Sequence, residues 1–328
     1  MKKLIQILAI LFLLLSALSA CNKKEETQET NKIKIVTTIF PTYDWVRQII
    51  GEDNERFELI LLADSGVDLH SYQPTTDDII AISTCDLFIY VGGTSDQWVE
   101  DVLRDAMNKD MGVINLIETL GAAVKEEEII EGMQHEDNHG HGEYEEEHQH
   151  DWDEHVWLSL TNAQTLVSYI SKEIIALDSE LLERYQENTD NYLTQLQSLD
   201  ETYRQMVLEY TNPTILVADR FPFRYLVDDY HINYYAAYAG CTAETEASFE
   251  TVIFLANKVD ELELSTVLVI DGSKQALAST VIENTHQKNQ NILTLNSMQA
   301  ITAKEIGEGI TYLAIMQENL TVLAEVLK

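Results

Sequence analysis

Residues 180–209 carry the longest helical pattern in this 328-residue sequence. Side chains recur there at spacings of three and four residues, which places them on one face of a helix. They are Leu182, Tyr185, Thr189, Tyr192, Leu196, Leu199, Tyr203 and Met206. At about 1.5 Å per residue, such a helix would span roughly 45 Å, which is more than one small lobe requires. We therefore expect this helix to connect two lobes.

Short apolar strand patterns alternate with helical patterns on both sides of this segment. Strands are predicted at residues 33–38, 57–62, 87–91, 112–116, 214–218, 232–236, 266–270 and 292–295. Helices are predicted at residues 43–51, 75–83, 161–176, 251–258, 275–285 and 309–327. This rhythm is typical of parallel sheets covered by helices. The sequence therefore predicts an α/β fold with two βα lobes, residues 33–178 and 211–328, joined by a rigid helix at residues 179–210.

The N-terminal residues have the pattern of a secretion signal. Lys2 and Lys3 precede an apolar run at residues 4–15, which is too short for a comfortable transmembrane helix. Small residues then lead to Cys21, and this arrangement resembles a bacterial lipoprotein box. The resemblance implies a signal peptide at residues 1–20, a lipid on the Cys21 sulfur, a tether at residues 21–32 and an anchored position on the extracellular face of a Gram-positive cell membrane. The alternative is an ordinary cleaved signal with an incidental cysteine.

The formal net charge is −35, while 45% of the residues are hydrophobic. Such a chain is globular, and its surface repels nucleic acid and attracts cations. A nucleic-acid partner is therefore excluded, but charge alone does not specify a metal site. Cys85 and Cys241 fall in different predicted lobes. They could form a disulfide in an exported protein, or each could be buried as a small apolar residue, which the surroundings of Cys85 favour.

Residues 126–154 form a low-complexity segment that is rich in Asp, Glu and His and contains no Lys or Arg. Five of its histidines are proposed as auxiliary metal ligands: His135, His139, His141, His148 and His150. Imidazole suits Zn²⁺, and carboxylates extend the choice toward Mn²⁺. The segment therefore predicts a surface loop with many weak, exchangeable metal ligands, and the alternative is a solvating acidic loop.

The loop contains an apparent zinc-protease motif. Residues 135–139 read His-Glu-Asp-Asn-His, but that motif works only on a helix, where both histidines share one face. Glycines flank the segment and no apolar periodicity supports a helix. We interpret the match as a consequence of biased composition.

Two further histidines occupy more structured positions. His70 lies between a predicted strand and a predicted helix, and His155 lies where the acidic loop gives way to an apolar sequence. In α/β sheets, ligands bind at the carboxyl ends of the strands. The two histidines are therefore candidates to share a ligand.

The sequence resembles the solute-binding proteins of zinc and manganese ABC transporters, the metal-binding cluster A-I family. The resemblance covers residues 32–328 and is carried by Phe40-Pro41 with Asp44, by residues 66–75, by residues 86–92 and by residues 155–158. It implies two α/β lobes, a connecting rigid helix and a metal ion held between the lobes. His70 and His155 match the two ligands that the N-terminal lobe supplies.

The ligands of the C-terminal lobe are less regular. Asp219 or Arg220 occupies the place of a family histidine, and only Asp219 could bind a metal because Arg stays protonated. Glu246 matches a glutamate ligand of manganese-type members, and Asn296 stands where those members have Asp. Asp219 could instead pair with Arg220 or Arg224.

These observations predict a monomeric, non-catalytic binding protein that captures Zn²⁺, or Mn²⁺, and delivers it to an ABC-type permease. One alternative is an exported zinc hydrolase, which would need an open coordination position and a general base. A second alternative is a metal-storage or adhesin lipoprotein that uses the acidic loop alone.

Overall fold

The computed structural model describes residues 32–51, 55–134, 152–241 and 246–328. The signal peptide, Cys21, most of the tether and the five loop histidines of the sequence analysis lie outside the described residues. So does the apparent zinc-protease motif at residues 135–139.

A parallel four-stranded sheet forms the N-terminal half, in the order β2-β1-β3-β4. Its strands are β1 (Ile33–Thr37), β2 (Phe57–Leu61), β3 (Leu87–Tyr90) and β4 (Gly112–Asn115). Its helices are α1 (Phe40–Ile50), α2 (Thr76–Thr84), α3 (Trp98–Asp105) and α4 (Leu116–Leu120). Ile35 in the central strand pairs with both Leu59 and Leu87. The central strands are apolar on both faces because helices cover the sheet.

A second parallel sheet forms the C-terminal half, in the order β6-β5-β7-β8. Its strands are β5 (Thr214–Phe221), β6 (Asn233–Ala239), β7 (Thr266–Ile270) and β8 (Asn291–Leu295). Its helices are α7 (Arg224–Tyr230), α8 (Phe249–Glu261), α9 (Ala276–Glu283), α10 (Ala303–Gly307) and α11 (Tyr312–Val326). The register of β5 against β6 shifts between Val217 and Arg220. Such an irregularity re-aims side chains, here those near the carboxyl end of β5.

Helices α5 (Leu160–Leu177) and α6 (Leu182–Val207) lie between the two sheets in the chain. Helix α6 has 26 residues and is therefore about 39 Å long. Its buried residues are Tyr185, Thr189, Tyr192, Leu196, Leu199, Tyr203 and Val207. The predicted α/β fold with a long connecting helix is confirmed. The short helices α3, α4, α7 and α10 were not predicted, because five to eight residues carry too little periodicity.

Residues 33–328 form one compact unit, since one hydrophobic core runs through both halves. The Trp157 indole N–H donates to the carbonyl of Ser297 at 2.9 Å. The Tyr312 hydroxyl donates to the carbonyl of Trp157 at 2.7 Å, and the Tyr312 N–H donates to buried Asp44 at 2.8 Å. These bonds join the turn after His155 and helix α1 to the C-terminal half.

Both described ends of the acidic segment form backbone bridges. Glu126 pairs with Trp152, and Gln134 forms a parallel bridge with Tyr238 on the edge strand β6. Asp153 and Glu154 are buried. Residues 126–134 and 152–154, at the two ends of the predicted surface loop, are thus joined to the rest of the fold. No helix within residues 32–51, 55–134, 152–241 and 246–328 is long and apolar enough to cross a membrane.

We predict that Tyr312→Phe lowers the free energy of unfolding by about 1–3 kcal/mol, because the buried Trp157 carbonyl loses its donor. Urea denaturation measures the change. Tyr169→Phe is the matched control, since Tyr169 is 39% exposed on helix α5 and should change stability little. Equal stability of the two variants would show that the hydroxyl bond does not hold the halves together.

Candidate metal centre

A short turn after strand β2 positions His70. Residues 69–71 form a single 3-10 turn, and Asp68 caps it by accepting the His70 N–H at 2.9 Å. Asp68 also forms an ion pair with Arg220 from strand β5, at 2.5 Å. Burial raises the pKa of Asp68, but Arg220 and His70 outweigh it and hold that pKa below its ordinary value. Asp68 thus stays ionised and ties the His70 backbone to the C-terminal half.

A single carboxylate positions His155. One oxygen of Asp153 accepts the backbone N–H of His155 and lies 2.9 Å from its ring Nδ1. The 3-10 turn at residues 156–158 follows directly and is buried throughout. His155 itself is 0% exposed. Its ring is therefore held in one orientation, with Nε2 directed away from Asp153.

The two imidazoles face each other through their Nε2 atoms, which are 3.1 Å apart. The Nδ1 of His70 lies 2.7 Å from the Ser95 hydroxyl and 3.4 Å from a carboxylate oxygen of Glu154. Both rings thus use Nδ1 for an oxygen partner, which is how proteins orient metal-binding histidines. With Zn–N bonds of 2.0–2.1 Å, a tetrahedral ion would separate two nitrogens by about 3.3 Å. The observed separation is close to that value.

The protonation of the pair favours a cation between the rings. Burial and the neighbouring His155 lower the pKa of His70 to about 3. Burial also acts to lower the pKa of His155, but Asp153 and Glu154 outweigh it and raise that pKa. His70 is therefore neutral at physiological pH, so its ring keeps a lone pair for a metal ion. A divalent cation that enters would bind deprotonated ring nitrogens and release a proton that His155 held there.

Cys241 completes a cluster with the two histidines. One ligand atom from each of His70, His155 and Cys241 lies within 4.8 Å of the other two. In the part of the chain that the structure describes, this is the only such group of three His, Cys, Asp or Glu residues. Cys85 and Cys241 are both free thiols, so they do not form the disulfide that the sequence left open. Burial, followed by nearby carboxylates, raises the pKa of the Cys241 thiol.

Cys241 could have been identified from the sequence if the predicted strand before it had been longer. The sequence predicted that strand at residues 232–236, whereas β6 spans Asn233–Ala239. Cys241 therefore lies two residues beyond the carboxyl end of a parallel strand, which is where ligands bind in α/β sheets.

Asp219 and Glu246 line a neighbouring cavity of about 510 Å³, together with Asp271 and Lys274. One oxygen of Asp219 accepts the Ser273 hydroxyl at 2.5 Å. Neither histidine lines this cavity. The structure thus brings His70 and His155 together but leaves Asp219 and Glu246 outside their cluster.

Asn296 is engaged in local hydrogen bonds. Its side-chain oxygen accepts the N–H of Met298 at 2.8 Å, and its backbone N–H and C=O both bond to the side chain of Asn319.

Gln299 approaches the cluster from the C-terminal half. With its amide oriented to satisfy both ends, the nitrogen donates to Asp68 at 3.0 Å and the oxygen lies 3.2 Å from His155 Nε2. Gln299 could not be identified from the sequence, because an isolated Gln carries no motif.

The two halves each contain a parallel β-sheet covered by helices, and a buried histidine pair lies between them. This geometry is that of a two-lobe metal-binding protein. Residues 35–326 match the family described as zinc-uptake complex component A, periplasmic (ZnuA). The chain belongs to this family, and the resemblance noted in the sequence is confirmed.

Two named relatives illustrate the match. The zinc-binding lipoprotein AdcA of Streptococcus pneumoniae R6 is 30% identical over 325 residues, which cover 99% of this chain and 61% of AdcA. The chain thus spans about three fifths of the length of AdcA. The high-affinity zinc uptake system protein ZnuA of Bacillus subtilis 168 is 28% identical over 322 residues, which cover 98% of this chain and 96% of that protein.

Solved structures share the fold. The metal-dependent lipoprotein YcdH of Bacillus subtilis superposes with a TM-score of 0.72 at 24% identity, over 90% of this chain and 99% of that one. The Zn(II)-bound ZnuA-like domain of Streptococcus pneumoniae AdcA gives a TM-score of 0.69 at 24% identity, with the same coverage. At this identity the two structures establish the fold alone.

Asp96 supports the loop that carries Ser95 to His70. Its carboxylate accepts the N–H groups of Val91 and Gly92, both at 3.0 Å. Burial and the charge of Glu154 raise the pKa of Asp96 to about 7. Between about pH 4 and 7, the folded state therefore keeps a proton that the unfolded state has lost, so stability falls as pH rises through this range.

We predict that metal-free Asp96→Asn gains stability relative to the wild type as pH rises from about 5 to 8, by on the order of 2 kcal/mol. Asn keeps an oxygen for the two N–H groups but never becomes charged. Denaturant unfolding of both proteins at the two pH values measures the difference. Exposed Asp105→Asn is the control, and an equally pH-dependent gain in that variant would contradict the assignment to Asp96.

Proposed function

We propose that this protein is the extracellular component of an ABC-type uptake system that captures Zn²⁺ and delivers it to a permease. The observation that carries the proposal is the pair of buried imidazoles with Nε2 atoms 3.1 Å apart. Membership of the zinc-uptake family supports the same function, and so do relatives named for zinc binding and zinc uptake.

The shape of the site favours capture over catalysis. His155 is completely buried, and the side chain of His70 is only 7% exposed. A catalytic zinc needs an open position for water and access for a substrate. A site that encloses its ion suits storage during transfer. We therefore propose a binding role without an enzymatic one.

Nitrogen ligands favour zinc over manganese as the cargo. Mn²⁺ prefers carboxylate and carbonyl oxygens, whereas imidazole suits Zn²⁺. The resemblance also offers Asp219, Glu246 and Asn296 as ligands. Asp219 and Glu246 line the adjacent cavity, and Asn296 is bonded locally, so these residues would reach an ion beside the histidines only after a rearrangement.

We also propose that a lipid on Cys21 holds the monomeric protein on the outer face of the cell membrane, beside its permease. The lipoprotein box of the sequence supports this, as does the relative named a lipoprotein. The tether at residues 21–32 would let the binding domain reach the transporter.

The histidine-rich part of the acidic segment is proposed to collect ions for the buried site. Residues 135–150 directly precede His155 in the sequence apart from a short connection, so ions that they collect would be released close to the pair. Its imidazoles and carboxylates would exchange ions readily because each contact is weak.

We predict that replacing His70 and His155 together by Ala reduces affinity for one Zn²⁺ by 100-fold or more, about 2.7 kcal/mol. Both facing nitrogens would be lost, and the buried carboxylates alone would hold the ion. Isothermal titration with a competing chelator measures the change. His286→Ala is the control, because His286 is 87% exposed and pairs only with Asp260 among the described residues. Unchanged tight binding in the double variant would refute the zinc-capture function at this site.

We predict that deletion of residues 136–150 removes weak zinc binding and leaves the single tight site intact. The deletion keeps Met133, which is buried, and Gln134, which contacts Tyr238 and the N–H of Ser248. A full-length variant with the five loop histidines changed to Asn lacks the imidazoles but keeps the loop. It therefore separates the effect of the side chains from the effect of shortening the loop. Equilibrium dialysis counts the sites. Disappearance of the tight site in both variants would show that the loop supplies essential ligands.

A further inference from the structure

The loop after strand β6 brings a thiol to the histidine pair. Its ligand atom lies within 4.8 Å of one nitrogen on each of His70 and His155. With Zn–S of about 2.3 Å and Zn–N of about 2.0–2.1 Å, a tetrahedral ion separates sulfur from nitrogen by about 3.6 Å. A small decrease in the distances between the three ligand atoms, within the range of a side-chain rotation, would let all three bind one ion.

Neighbouring residues hold this loop against the imidazole. A Cβ added to Gly240 would lie 2.8 Å from the Phe221 carbonyl and 3.0 Å from a ring carbon of His155, so the backbone passes very close to that ring. The N–H of Cys241 donates to the Glu127 carboxylate at 2.8 Å. The backbone that carries the thiol is thus held from both sides, by strand β5 and by the acidic segment.

The surroundings of the thiol suit a cation rather than a packed apolar side chain. Asp153 and Glu154 are buried beside His155, and Glu127 holds the Cys241 backbone. Buried carboxylates without a compensating cation are costly. A divalent ion between the three ligands would offset that charge.

Asp219 and Glu246, which the resemblance offered as ligands from the C-terminal half, lie outside the histidine cluster. The Arg220 guanidinium has donors and no acceptor, so it offers a metal no ligand, and it pairs with Asp68. Asp219 accepts the Ser273 hydroxyl, and both Asp219 and Glu246 line the neighbouring cavity. Among the His, Cys, Asp and Glu residues of this half that the structure describes, Cys241 is the one grouped with the histidine pair.

We propose that Cys241 is the third ligand of the captured ion, in a site made of two imidazoles and one thiolate. This inference rests on the proposed zinc-binding function and specifies its chemistry. Sulfur ligands select Zn²⁺ and other soft or borderline cations and disfavour Mn²⁺, which prefers oxygen. The site thereby discriminates between the two metals that the sequence left open.

Cobalt(II) substitution tests the proposal, because a thiolate bound to Co²⁺ produces a sulfur-to-metal charge-transfer band in the near ultraviolet. The protein carries Cys21→Ala, which leaves two thiols. We expect the band in this protein and in Cys85→Ala, where Cys241 is the only thiol. The band should be absent in Cys241→Ser. In that variant the affinity for Zn²⁺ should fall tenfold or more, and the ratio of the Zn²⁺ affinity to the Mn²⁺ affinity should decrease.

Matched variants separate this inference from the function on which it rests. Asp219→Asn and Glu246→Gln should keep both the band and the affinity. One tight Zn²⁺ without any sulfur band in Cys85→Ala would overturn the role of Cys241 and leave zinc capture standing. Absence of tight binding of either metal would overturn the proposed function itself. The result for Cys85→Ala does not depend on whether Cys241→Ser folds.

Discussion

The segment at residues 153–158 is the element on which the arrangement of both halves depends. The Tyr225 hydroxyl donates to the Asp153 carbonyl at 2.8 Å, and Trp157 bonds to Ser297 and Tyr312. These groups are buried, so each lost partner would leave an unsatisfied polar atom. The C-terminal half therefore holds His155 in place, although His155 belongs in sequence to the N-terminal half.

This attachment explains how two imidazoles can be buried face to face. Burial opposes a positive charge on either ring. Asp153 nevertheless raises the pKa of His155, whereas His70 remains neutral. Each Nδ1 has an oxygen partner, so both Nε2 atoms are directed at the same point. Burial and fixed orientation make the histidine pair energetically costly in the absence of a cation. The same two features would make it bind a cation tightly, because ligands that are already oriented lose little freedom on binding.

The candidate site was only partly predictable. His70 and His155 could be identified because each lies where a strand or loop meets a helix within a distinctive motif. Cys241, Gln299 and the pairing of Arg220 with Asp68 could not, since they depend on how the loops of two different sheets meet. The register shift in strand β5 adds to this difficulty, because it changes where Asp219 and Arg220 are directed without leaving a clear mark in the sequence.

The amino-acid sequence by itself determined the α/β class, the order of the strands along the chain, the long connecting helix and the two histidines. Those features follow from local periodicity and short motifs, which every stretch of chain carries by itself. Tertiary structure alone decided which donors surround the histidines. A binding site is set by distances between residues remote in sequence, and His155 and Cys241 become neighbours only when the edge of the second sheet packs against the turn that follows the acidic segment.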